Sequence, residues 1–281
     1  MLPEDLLGAA VRVGHLGAPP VEPGVDEALA PLAGRLIAGP RVAQLVIDGC
    51  VGFQVDEGRS VTVDVAFGTG EADVASWLHG TVAALVLGQQ GRTALHASTV
   101  AIGTTGVAIA GRRGAGKSTT ALELRRRGHR LVTDDVSPVD RDSGGRPTVT
   151  AFGRALHVWP ETANRLGIDV GEARTVTSTS PKLSLPVAAA AWVALAHVVV
   201  LVPDDAMRTT VRTRANGWPA FEVIGTNAYR VELISRLWRR DLFRWTTWLA
   251  SAVKVHELRR PESGWSVAEV ADAIEDLARS S

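Results

Sequence analysis

The chain has 281 residues, 46% hydrophobic and 21% charged, and its 30 basic side chains balance 30 acidic ones. A net charge of zero gives no support to a general nucleic-acid or membrane-surface role. Cys50 is the one cysteine, so an intrachain disulfide and a multi-thiolate metal site are excluded, as expected of a protein in a reducing cytosol.

Residues 1–40 are rich in Gly, Pro and Ala with weak periodicity and are expected to be a loosely structured lead-in or a small subdomain. Residues 1–20 lack the basic patch and long apolar run of a secretion signal, so a soluble, cytoplasmic protein is expected. From Arg41 to Phe67 three runs end at glycine: VAQLVIDG, VGFQVDEG and SVTVDVAFG. The alternation of Val61, Val63 and Val65 predicts half-buried antiparallel strands. Ala72–Leu87 places Trp77, Leu78, Val82, Leu85 and Val86 at helical spacing, with Gly88 and Gly91 to end the helix. His79 within it reads as a packed or surface histidine, not a ligand. A β-rich N-terminal region, residues 1–90, thus precedes a second region, 91–281.

Leu95–Ile102 and Val107–Ala110, joined by Gly103 to Gly106, read as a hairpin. The strand entering the next motif is then reached by a hairpin and not by a βαβ crossover, which disfavours a doubly wound sheet. That motif, Gly111–Ser118 (GRRGAGKS), meets the pattern GxxxxGK[ST] at every fixed position. Gly111, Gly114 and Gly116 let the backbone turn tightly and aim N–H groups at one anion. Lys117 brings a charge to the outer phosphates, and the Ser118 hydroxyl is suited to Mg²⁺. The following helix, Ser118–Arg127, adds its positive end to the same anion site. Gly111, Arg112, Arg113, Gly114, Ala115, Gly116, Lys117, Ser118 and Thr119 are therefore assigned to a nucleoside triphosphate. Arg112 and Arg113 read equally as aids to an anionic substrate or as solvated charges.

Arg125, Arg126 and Arg127 fall in the last turn of this helix, where cations complement its dipole. Arg130–Thr133 is a short strand leading to Asp134-Asp135. A strand geometry would point these two acids to opposite sides, dividing metal binding from proton acceptance; the other reading is that one of them caps the next turn. Val136–Asp140 and Pro147–Ala151 bracket a turn. The apolar stretch Val187–Val202 is too short to span a bilayer and predicts a buried strand, chiefly His197–Val202. Tyr229–Val253 reads as one or two amphipathic helices whose Trp238, Trp245 and Trp248 serve as core or as a docking surface. Lys254–Leu258 is expected to be a strand and Ser266–Ala278 a terminal helix.

The segment Leu95–Asp135, with LHAS, GVAIAGRRGAGKSTTALELRRRGHR and LVTDD, resembles the catalytic domain of the HPr serine kinase/phosphorylase family, including the related kinases found in lasso-peptide clusters. The resemblance implies an α/β fold: a phosphate-loop domain with a mixed, largely antiparallel sheet around the loop helix, here with a β-rich N-terminal region and C-terminal helices added. It implies that His96, which by itself reads as a core strand residue, belongs to the site near the phosphate. It makes Asp135 the base for an acceptor serine and Ser118 a Mg²⁺ ligand, with Asp134 as a second acid for the metal. Glu161 is a candidate metal ligand from the region after the aspartates, where the family signature is not recognisable. Lys182 or Arg208 stands for a distal basic residue of the family.

The function expected is an ATP- and Mg²⁺-dependent kinase acting on a hydroxyl, a serine of a peptide or small protein, without phosphorolysis. A small-metabolite kinase and a nucleotide-binding regulator with little turnover are the alternatives. No nucleic-acid or membrane partner is expected; homo-oligomerisation is compatible with the sequence.

Overall fold

The computed structural model describes the chain except residues 1, 20, 22–23, 30–33, 154, 172, 178–179, 187–190 and 281. The chain divides into two compact units, one of residues 1–93, 176–180 and 230–243, the other of 94–175, 181–229 and 244–281.

The first unit is built on seven strands: β1 (Asp5–Leu6), β2 (Ala9–Val13), β3 (Val25–Ala28), β4 (Gly34–Ala38), β5 (Val42–Ile47), β6 (Val51–Asp56) and β7 (Ser60–Val65). Their order across the sheet is β1-β2-β7-β6-β5-β4-β3, with β2 and β7 parallel. Of the two readings of the first forty residues, the loose lead-in does not hold: they supply four of these strands and share the sheet with residues 42–65. Strand β2 exposes most of its side chains, so backbone pairing holds it in place and no apolar alternation announces it. At the centre of β7, Val61, Thr62 and Val63 are all buried, whereas Val65 is 37% exposed. The single helix expected over residues 72–87 is two, α1 (Glu71–Trp77) and α2 (Ala83–Gln89), joined by a π-type turn over Leu78–Val82. Gly80 takes non-helical angles there, φ −100° and ψ −107°, a break that costs least at a residue without Cβ.

In the second unit β8 (Ala94–Ile102) and β9 (Thr105–Ala110) form the expected antiparallel hairpin. Helix α3 (Lys117–Arg126) follows, then β10 (Arg130–Thr133), β11 (Val136–Arg141), β12 (Pro147–Thr150) and β13 (Ala155–Val158). Helix α4 (Pro160–Arg165) and the short strands β14 (Arg174–Thr175) and β15 (Leu183–Pro186) lead to β16 (Trp192–Asp204), the longest strand. Beyond it lie β17 (Val211–Ala215), α5 (Trp218–Thr226), α6 (Val231–Leu237, in the first unit), α7 (Arg239–Ala252), β18 (Lys254–Pro261) and α8 (Val267–Arg279). Strand β17 escapes a reading by periodicity because it is exposed on both faces.

The larger sheet is mixed. Strand β9 pairs antiparallel with β8 on one side and parallel with β16 on the other, and β16 in turn runs parallel to β18. Because β8 also pairs with β11, β11 with β12 and β12 with β16, the pairings close a ring around β9. Helices α3 and α8 cover one face, where Val107, Ile109, Val199, Leu201 and Leu258 meet Leu122, Leu124, Ile274 and Leu277. Each such buried aliphatic side chain contributes about 1.5–3 kcal/mol.

As expected, Arg125 and Arg126 fall in the last turn of α3, with Arg127 at its C-cap, and the run also makes ion pairs. Arg126 and Arg127 both pair with the buried carboxylate of Glu123 at 2.7 Å, and Arg127 reaches on to Asp272 and Glu275 of α8. Trp238 and Trp245 are buried and Trp248 partly so. The Trp245 indole N–H donates to the Val139 carbonyl, and Arg141 lies 4.1 Å over the Trp248 ring. Among the described residues no helix is long and apolar enough to cross a membrane.

Candidate phosphate-transfer site

Strand β9 ends at Ala110, the turn 111–116 follows, and α3 begins at Lys117, the order the glycine-lysine pattern requires. Gly111 is at φ 135°, and a Cβ there would sit 2.7 Å from the carbonyl oxygen of Leu201. Only glycine lets the turn leave β9 so close to β16. Gly116, at φ 103°, caps the helix, so the first free N–H groups of α3 open onto the turn.

Lys117 folds back over this turn. Its ammonium donates to the Gly111 carbonyl at 2.8 Å, and the side chain is buried. Burial drives its pKa below the ordinary lysine value, the carboxylates of Asp135 and Asp134 counteract this, and Lys182 adds to the lowering. Lys117, both aspartates and Lys182 thus share one electrostatic neighbourhood. Lys182 also stands 5.7 Å from the Trp159 ring. Arg208 lies elsewhere, exposed and bonded to the Asp205 carbonyl.

Strand β10 stops at Thr133, so the two aspartates do not alternate along a strand; they occupy a tight turn in which Asp135 takes a left-handed conformation, φ 68°. Non-glycine residues rarely adopt it, Asp being among the more tolerant. The turn is pinned by the Thr133 hydroxyl, 2.7 Å from the carbonyl oxygens of both Val136 and Phe152. Within it the acids separate. Asp134 accepts from the Ser118 hydroxyl at 3.1 Å, from Ser98, and from the backbone N–H of His157 at 3.0 Å. Asp135 instead meets His96 Nε2 at 3.0 Å. Burial pushes the Asp135 carboxyl up, but the His96 hydrogen bond and the charges of His96, Lys117 and His157 outweigh it and leave the group below the usual carboxylate range.

Strand β8 presents His96 and Ser98 on one face, two residues apart. The His96 backbone N–H donates to the Asn227 carbonyl at 2.8 Å, while the Asn227 side-chain oxygen accepts the N–H of Gly111 at 3.1 Å. Tyr229 meets the His96 ring edge-on, centroids 5.8 Å apart. The end of β18 reaches the turn from the other side. Arg260 donates twice to the Ala115 carbonyl, at 3.1 and 2.8 Å, and Arg112 pairs with Glu262 at 2.7 Å. Arg113 is exposed.

The structure therefore brings Lys117, Ser118, Asp134, Asp135 and His96 together. Glu161 is not with them: it is exposed on the first turn of α4, with no contact to Ser118 or either aspartate among the described residues. Sequence reasoning missed Ser98, Asn227 and Arg260. Ser98 carried a weak signal two places after His96; Asn227 and Arg260 are too distant in sequence to carry one. The donor set fits a metal-bound polyphosphate, with N–H groups and a buried ammonium on one side and a hydroxyl–carboxylate pair on the other.

A glycine-bent turn on a helix start, with a buried lysine and two divided aspartates, is a site built to hold an anion beside a carboxylate. Residues 89–155 match the family model described as the HPr Serine kinase C-terminal domain. The HPr kinase/phosphorylase of Bacillus mycoides (strain KBAB4) is 34% identical over a match covering 34% of this chain and 42% of the relative. That of Bacillus cytotoxicus is 33% identical with the same coverage. The solved structure of the Hpr(Ser) kinase/phosphatase from Coxiella burnetii aligns over 66% of this chain and 88% of that one, with 16% identity and a TM-score of 0.37. The chain thus spans less than half the length of the curated relatives it matches.

Proposed function

We propose that this chain is a serine kinase that moves the terminal phosphoryl group of ATP, with Mg²⁺, onto a hydroxyl of a peptide or small protein. The observation that carries this reading is the division of labour between neighbouring acids: Asp134 with Ser118, Asp135 with His96, both within the field of Lys117. The magnesium–nucleotide complex supplies the phosphoryl group and an electrophilic centre when bound. The turn amides and Lys117 hold and neutralise the phosphates, and Ser118 with Asp134 faces the metal. Asp135 accepts the acceptor's proton as the acceptor oxygen bonds to the γ-phosphorus and the bond from that phosphorus to the bridging oxygen breaks, releasing ADP. With His96 as donor at Oδ1, its second carboxylate oxygen is turned to the acceptor. The single cysteine and this reaction both suit the cytosol.

The test is incubation with ATP, Mg²⁺ and serine peptides, scored by mass for the gain of one phosphate. Transfer by the native chain that Asp135→Asn abolishes supports the proposal. Tight ATP binding without transfer to any acceptor would point instead to a regulator.

A further inference from the structure

Helix α3 carries Ser118, Leu122, Arg125 and Arg126 at spacings of four, seven and eight residues, so all four share one face. Ser118 is the member of this set that meets Asp134. One turn further along the same face, Leu122, Arg125 and Arg126 form a wall of a groove of about 580 Å³. Its other wall is Ile168 and Asp169, from the connection after α4, with Leu185 of β15. The apolar members belong to the core or its margin, Leu122 and Leu185 buried and Ile168 partly so. Strand β15 pairs with β13, which carries His157, the residue whose N–H holds Asp134. Groove and transfer site therefore share both a helix face and a strand pair.

The charges of the groove are unequal. Arg126 is bound to Glu123, and the Asp169 carboxylate accepts the N–H of Gly171 at 2.9 Å. Arg125 is half-buried and has no ion pair among the described residues. A partly desolvated guanidinium beside an apolar floor is matched by a carboxylate, which it can hold through two parallel hydrogen bonds.

We propose that this groove docks the acceptor chain: an apolar side chain lies against Ile168, the partly exposed apolar member over buried Leu122 and Leu185, and an acidic residue pairs with Arg125. The proposal rests on the kinase reading for what sits at Asp135. It also fixes a spacing. Ser118 and Arg125 are seven helical residues apart, about 10 Å at ~1.5 Å per residue. An extended peptide covers that distance in about three residues at ~3.3 Å each. Because the acceptor serine stands at Asp135, next in the chain to the Asp134 that Ser118 meets, the preferred acceptor has its Asp or Glu about three to four residues from the serine.

The experiment uses fluorescein-labelled peptides holding one serine and a single Glu moved through each neighbouring position, titrated with the full chain and read by anisotropy. The expected result is tightest binding with Glu about three to four residues from serine. Arg125→Glu should weaken that peptide about tenfold and restore binding when Lys replaces its Glu; Arg125→Gln should erase the preference without reversing it. Such a reversal requires a folded protein, and a merely structural arginine would not produce it. Absence of binding, affinities indifferent to the Glu position, or an unchanged profile in Arg125→Glu would overturn the proposal. Adding ATP and Mg²⁺ separates it from the kinase reading. Arg125-dependent binding without transfer keeps the groove and removes the kinase; transfer indifferent to Glu position and to Arg125→Glu keeps the kinase and removes the groove.

Discussion

His96 Nε2 and Asp135 Oδ1 stand 3.0 Å apart, one from the first strand of the second unit, the other from the turn after β10. The contact lowers the carboxylate's pKa and so favours its ionised form. Asp135→Asn is expected to lower the rate of phosphoryl transfer by about 10²–10⁴, the usual worth of a positioned base, with ATP affinity nearly unchanged. His96→Gln removes a group that depresses the Asp135 pKa, so that pKa rises. The acid limb of the pH–rate profile should move to higher pH in His96→Gln; a limb that stays in place would show that the histidine does not govern the aspartate.

Lys117 is buried with its ammonium on the Gly111 carbonyl, ready to exchange that neutral partner for phosphate oxygens. Lys117→Met should weaken ATP binding by about 1.5–3 kcal/mol, the range for hydrogen bonds to charged groups, or roughly 10- to 150-fold in Kd. Calorimetric titration measures it directly.

Arg260 tests the contribution of the last strand. Its two hydrogen bonds to Ala115 fix a carbonyl of the phosphate turn. Arg260→Met is expected to raise the Kd for ATP about tenfold through a loosened turn, with Arg260→Lys between it and the native chain. Glu262→Gln, which breaks only the exposed pair with Arg112, should change it by less than about 1 kcal/mol.

On adjacent parallel strands, the imidazoles of His197 and His256 lie 3.3 Å apart, nitrogen to nitrogen, and both are buried. Burial first, and then the neighbouring charges, lower both to about 4: Arg212, Arg214 and Lys254 act on His256, and His256 and the same cations act on His197. The unfolded chain takes up protons on these histidines near pH 6.5 while the folded chain does not, so stability falls as pH drops from about 6.5 towards 4. The expected slope is up to about 1.4 kcal/mol per pH unit for each histidine. Denaturant melts across this window should show a shallower slope for His256→Gln than for the native chain.

Gly88, in α2, has no room for a side chain: a Cβ there would lie 2.4 Å from two atoms of the Trp238 ring. Gly88→Ala should destabilise the first unit by about 1–3 kcal/mol through overpacking. Adding Trp238→Leu should recover part of the loss in thermal melts.

Local chemistry was the legible part of this molecule. The turn Gly111–Gly116, its helix, the β8–β9 hairpin and the pair Asp134-Asp135 each depend on neighbours within a few residues, so pattern and propensity expose them. The parts that stayed hidden are set by tertiary contact. Strand β2 is held by backbone pairing and β17 is exposed on both faces, so neither shows periodicity. Asn227 and Arg260 reach the turn from far along the chain, and no spacing rule connects them to it. The opposed directions expected of the two aspartates did not arise because β10 ends at Thr133, before both of them, yet the left-handed Asp135 separates their contacts all the same.

The pairing of β9 with β16 bears on how the protein can be dissected. Residues 89–155 hold the recognisable motif, but the strand that feeds it is half of a two-sided seam whose second half arrives only at Ala194–Val200. Excised alone, that stretch would bare a long apolar edge open to stray strand partners. The matched stretch is therefore not a module that could be transplanted.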